Sequence, residues 1–131
     1  MAIKLKAINA LRPKVVLGRT ARTREVVKYI NERTGLNRGV IKHVLNELSD
    51  TVLHFNMMGR AVKFEELGTY CPKIALDGTI ETYHRVDRFF KGQLNVEGEY
   101  TGELENKENI SKTVDELVQM WNEANPDDPV L

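Results

Sequence analysis

Gly59-Arg60-Ala61-Val62-Lys63-Phe64-Glu65-Glu66-Leu67-Gly68-Thr69-Tyr70 is the stretch on which the fold turns. Upstream of it the apolar residues recur at helical spacing, and downstream they alternate with period two. Gly59 stops the helix before it. Ala61 to Glu66 then reads as a strand, and a second strand runs from Thr69 to Leu76. Asp77-Gly78 is a two-residue hairpin signal, with the return strand at Thr79 to Val86.

Working upstream, Val40, Ile41, Val44, Leu45, Leu48, Val52, Leu53 and Phe55 form a wide apolar stripe on one long helix. Asn37 is its cap, and Gly35 is a left-handed stop for the helix before it. That earlier helix starts with Thr20 or Thr23 as its cap and runs to about Arg33, with Val26, Val27, Tyr29 and Ile30 on its apolar face. Ile3, Leu5 and Ala7 alternate with Lys4 and Lys6, which predicts a short strand over residues 2–8. Asn9 to Arg19 is a basic connector in which Pro13 limits helix.

Downstream, Asp87 to Leu94 predicts a short helix containing Phe89, Phe90 and Lys91. Tyr100 to Leu104 predicts a strand. Thr113-Val114-Asp115-Glu116 is a capping box, because the threonine hydroxyl and the glutamate can each satisfy an amide of the other. Val114, Leu117, Val118 and Trp121 follow as one face, and Pro126 and Pro129 end the helix. The tail 125–131 reads as loose. The fold class is therefore α+β: two N-terminal helices, then a β-hairpin sheet with a short arm. An N-terminal strand and a C-terminal strand and helix are added to it. The expected division is a basic extension over 1–22, a central domain over 23–94 and an acidic extension over 95–131.

The chain has 131 residues and a formal net charge of zero, which hides an asymmetry. Residues 1–91 carry 17 Lys/Arg against 9 Asp/Glu, and residues 92–131 carry 2 against 10. A basic body suggests a polyanion partner, or else a body onto which the acidic end folds. Cys71 is the one cysteine, so no intrachain disulfide forms. The N-terminus has no apolar leader core and no apolar run is long enough to span a bilayer, so a cytoplasmic protein with no membrane partner is expected.

Catalytic and metal sites find no support in the pattern. His43 and His54 lie on one helix roughly 16 Å apart, too far to share a metal. Cys71 beside Pro72 has no identifiable base and reads as a packed strand residue. Glu65-Glu66 and Glu103/Glu105 read as solvated carboxylates rather than acid–base pairs. No phosphate-cradling glycine loop occurs. No enzyme activity, cofactor, metal or small-molecule substrate is expected. What remains is basic: Lys73, Arg85, Arg88 and Lys91 flank the hairpin and its exit, and a basic two-stranded ribbon can lie in a DNA groove.

The order of these elements resembles the HU/IHF family of histone-like, nucleoid-associated bacterial DNA-binding proteins. In that family a helix ends in A-G-L-S, a long helix follows, and G-x-x-V-x-L-x-G-F-G-x-F comes next. Here the residues are Thr34-Gly35-Leu36-Asn37 and then Gly59 through Tyr70, with no gap between Gly35 and Gly68. Arg85-Val86-Asp87-Arg88-Phe89-Phe90-Lys91-Gly92 is similar to K-V-P-A-F-K-A-G at the start of the family's last helix. The extra segments at both ends look like an elaborated subgroup of Bacteroides-type bacteria.

The resemblance implies an intertwined homodimer, which the wide stripe on the long helix also suggests. It further implies double-stranded DNA as partner, a place in the nucleoid and no enzymatic role. Arg22, Arg24, Lys28, Lys73, Arg85, Arg88 and Lys91 are the expected DNA-binding residues, with Lys14 and Arg19 as additions. The departures lie in the arm. It is shorter, lacks the R-N-P-x-T-G tip and its proline, and carries Asp77 and Glu81. Glu66 replaces the first glycine of G-F-G. A module that has lost DNA binding and serves protein assembly is the alternative.

Overall fold

The computed structural model describes residues 2–131. In chain order the elements are α1 (Lys4–Leu11), β1 (Lys14–Val15), α2 (Thr23–Thr34), α3 (Arg38–Asn56), β2 (Val62–Phe64), β3 (Gly68–Ile74), β4 (Ile80–Val86), α4 (Arg88–Leu94), β5 (Leu104–Glu105) and α5 (Val114–Ala124). They form two compact units, one of residues 20–100 and one that joins residues 1–19 to residues 101–131. No helix among the described residues is long and apolar enough to cross a membrane.

In the unit of residues 20–100, local chemistry sets most boundaries. Gly35 closes α2 in the left-handed region, with φ 74°. The Asn37 side chain accepts from the amides of Gly39 and Val40, which otherwise have no helical partner, so α3 begins where that cap allows. Asp87 does the same for α4 through the Phe89 amide. At the start of α2 the expectation fails: Thr23 is the first helical residue, and Arg22 holds the cap position without a side-chain bond.

β2, β3 and β4 make one antiparallel sheet with β3 in the centre. Gly68 sits at its most crowded point, with φ 152°, and a Cβ there runs into the His84 ring and the Arg85 carbonyl. The tip of the β3–β4 hairpin differs from the two-residue turn expected. Ala75 pairs with Thr79, the Gly78 amide donates to the Ala75 carbonyl, and Gly78 is left-handed at φ 89°. Leu76, Asp77 and Gly78 thus form a three-residue loop, the form in which a turn ends in a left-handed bulge residue. Asp77 Oδ1 accepts from the Thr79 amide at 2.9 Å, and that bond holds its carboxyl below the usual carboxylate range.

Glu66, the residue in place of the family's glycine, keeps a glycine-like backbone with φ 68°. A left-handed non-glycine residue costs roughly 1–2 kcal/mol, partly offset because glycine loses more entropy on folding. Glu66→Gly is therefore expected to be neutral or to stabilise by about 0.5 kcal/mol. Thermal melts of the two proteins check this, and a clear loss of stability refutes it.

The core of this unit is thin. Val27 and Ile41 are its only buried apolar residues among those described. Val40, Val44, Leu48 and Leu53 on α3 stand in solvent in a single chain, as do Phe89, Phe90 and Leu94 on α4.

The second unit joins the chain ends. Its N-terminal piece corrects the expected strand: residues 4–11 are helix, and the N-terminal strand is the two-residue β1, antiparallel to β5. Three alternating apolar residues cannot distinguish the two periods, and Lys, Leu and Ala favour helix. Tertiary contacts decide the matter. Ala7 is fully buried where α1 packs on α5. The Asn106 side chain donates to the carbonyls of Ala10 and Arg12, and Asn109 donates to that of Leu11 at 2.6 Å. These side chains satisfy the orphan carbonyls at the end of α1 from far along the sequence.

The capping box at Thr113 and Glu116 is formed as expected, and Leu117 is buried. The 125–131 tail is not loose. Trp121 Nε1 donates to the Asp128 carbonyl at 2.8 Å, Asn122 bonds both the amide and the carbonyl of Val130, and Ala2 donates to the Pro129 carbonyl. Lys6 pairs with Asp128 at 3.0 Å. The folded units also erase the charge asymmetry. The unit of chain ends holds seven Lys/Arg and eight Asp/Glu, and the other holds twelve and eleven.

Candidate nucleic-acid interface

The basic residues of the unit 20–100 are unevenly placed. Residues 20–44 carry six Lys/Arg and two Asp/Glu, while residues 45–100 carry six and nine. The excess positive charge thus lies on α2 and the start of α3, not on the hairpin.

There the two helices frame a cleft of about 460 Å³ lined by Thr23, Arg24, Val27, Arg38, Gly39 and Lys42. Three cations converge on it and no acid lines it. Arg24 comes from the first turn of α2. Arg38 and Lys42 lie four residues apart on α3 and so share one face. Gly39 between them keeps the wall low. The Arg38 guanidinium is held in place: its Nε donates to Asn31 Oδ1 at 3.2 Å, and the Asn31 amide donates to the Leu36 carbonyl at 2.7 Å. That tie spans the α2–α3 turn and leaves both terminal amino groups of Arg38 for an anion, in the fork that suits a phosphate. Asn37 already occupies the Gly39 and Val40 amides, so from α3 an anion here is met by side chains.

Of the expected residues, Arg24 alone lines this cleft. Arg22 caps α2 and is exposed, and Lys28 lies one turn beyond Arg24 on the same helix face. Lys73 on β3 faces Glu81 across the hairpin, with 3.6 Å between the charges, and its ammonium also lies over the Tyr83 ring. Such an exposed pair is weak, but it offsets part of the positive charge that Lys73 offers. Arg85 is exposed on β4 opposite Thr69, and Arg88 and Lys91 are exposed on α4. The structure does not gather these four with the cleft. Arg38 and Lys42 are the residues that sequence reasoning missed. Their four-residue spacing behind the Asn37 cap was visible, but the apolar stripe dominates the pattern of the same helix.

A family model described as an HU domain fused to wHTH, Ig, or Glycine-rich motif matches residues 5–88. The chain belongs to the HU-HIG family. No curated protein matches it. The HU-HIG match takes in α1 and β1 as well as α2 through β4, and it ends where α4 begins. The α+β architecture, with two helices followed by a three-stranded antiparallel sheet, is consistent with an HU-like fold.

Proposed function

We propose that this protein binds double-stranded DNA as a homodimer, mainly through phosphate contacts and with no enzymatic step, in the cytoplasmic nucleoid. The carrying observation is the cleft in which Arg24, Arg38 and Lys42 converge with no acid. Guanidinium and ammonium groups so placed neutralise phosphates and release counterions, which gives affinity without sequence readout. Arg22 and Lys28 extend this surface along α2, and Arg85, Arg88, Lys91 and the partly neutralised Lys73 add contacts from the hairpin and its exit. The balanced charge of the hairpin, with Lys73 and Arg85 against Asp77 and Glu81, makes the helical cleft the stronger anchor.

The dimer is supported by the thin core. Two buried apolar residues in residues 20–100 are too few for a stable domain, whereas the exposed faces of α3 and α4 supply apolar surface that a second copy would cover.

Titration of the purified protein with duplex DNA at two salt concentrations tests this reading. Binding is expected at low salt, with log affinity falling by about 0.9 per phosphate neutralised for each unit of log salt. Equal affinity at both concentrations contradicts the electrostatic mode. Absence of binding at both concentrations favours the assembly module instead.

A further inference from the structure

Asn56 is one of two buried polar residues among those described, and it is the last residue of α3. Its side chain reaches three places. Nδ2 donates to the Arg60 carbonyl at 2.9 Å and to the Tyr70 carbonyl at 3.3 Å, and Oδ1 accepts from Thr82 Oγ1 at 2.7 Å. Tyr70 is on β3 and Thr82 on β4, so one amide group ties the helix end to both strands of the hairpin. Both donors of the amide and its oxygen are in use.

Few apolar side chains hold the hairpin. Every residue of β4 is exposed, and Ile74, Leu76 and Ile80 stand in solvent toward the tip. An apolar residue at 56 would hold the strands by packing alone, which has no direction and lets a ribbon rock. Three hydrogen bonds have direction, and a buried amide left unpaired is penalised, so one hairpin orientation is selected.

We infer that Asn56, with Thr82, is the positioning residue that fixes the β3–β4 hairpin on α3, and that the hairpin's engagement of DNA depends on it. The second half rests on the DNA-binding reading above. Neither side chain touches DNA. Both act through the strands that carry Lys73 and Arg85.

The test uses the full chain. Thr82→Val removes the hydroxyl at constant shape, Thr82→Ser restores it, and Asn56→Leu removes the amide. Two measurements are made: amide hydrogen exchange along the chain, and the salt slope of duplex binding. In Thr82→Val, exchange over residues 68–86 is expected to quicken by about tenfold while α2 and α3 keep their protection. The salt slope should fall by about one unit for each phosphate that the hairpin no longer neutralises. Thr82→Ser should match the parent on both counts, and Asn56→Leu, which removes all three bonds, should quicken exchange over residues 68–86 at least as much as Thr82→Val.

Unchanged hairpin exchange in Thr82→Val overturns the inference, and so does exchange that quickens equally in α2 and α3. Should Asn56→Leu fail to fold, Thr82→Val decides. A parent protein that does not bind duplex overturns the DNA half together with the reading beneath it. The exchange data then still decide whether the tie positions the hairpin.

Discussion

Leu48→Asp is expected to abolish the dimer and, with it, the fold of residues 20–100. Leu48 follows Val40 and Val44 at four-residue spacing on α3, and all three are exposed in a single chain. Residues four apart lie on one helix face, so together they form a continuous apolar strip. If a second protomer covers the strip, the substitution removes apolar burial worth roughly 2–3 kcal/mol. It also places a carboxylate where it has no cation, at a cost of several kcal/mol more. A two-fold interface counts both terms twice. The sum reaches the whole stability of an ordinary domain, about 5–15 kcal/mol. With Val27 and Ile41 as its only buried apolar residues among those described, the single unit has no reserve. Light scattering and circular dichroism should show a monomer without the parent's cooperative melt. Asn46→Asp, an exposed polar position on the same helix, is the control and should remain dimeric. A folded Leu48→Asp monomer with the parent's melting temperature rejects the dimer.

Replacing Arg24, Arg38 and Lys42 together by alanine should lower duplex affinity by roughly a hundredfold or more at physiological salt. It should also flatten the salt slope by about three units for each engaged cleft, one phosphate per cation. The three line a single cleft with no acid, so their effects fall on the same stretch of DNA backbone. Helix loss is not the expected cause, because alanine favours helix and the Asn37 cap is untouched. Lys73→Ala is the informative contrast. Its ammonium lies 3.6 Å from Glu81, so its removal should change affinity by about threefold at most. Fluorescence titrations at several salt concentrations measure both. A large loss in Lys73→Ala and none in the triple variant would move the interface from the helices to the hairpin.

The sequence by itself determined the elements whose causes lie within a few residues. Gly35 must be left-handed, Asn37 and Asp87 have the short oxygen-bearing side chains that meet free helix amides, and Thr113 and Glu116 cap each other. Each depends on an interaction spanning four residues or fewer, so the local string contains both partners. The order of two helices and a hairpin, and with it the family, was legible for the same reason. The tertiary structure alone decided what depends on distant partners. Residues 4–11 became helix because Asn106 and Asn109 supply its missing carbonyl partners and α5 covers Ala7. The tail is held by Trp121, Asn122 and Ala2 rather than left loose. The linear charge asymmetry disappeared because the basic start and the acidic end fold into one unit. The cationic cleft needed two helices brought side by side, since Arg24 and Lys42 are neighbours only once the α2–α3 turn is made.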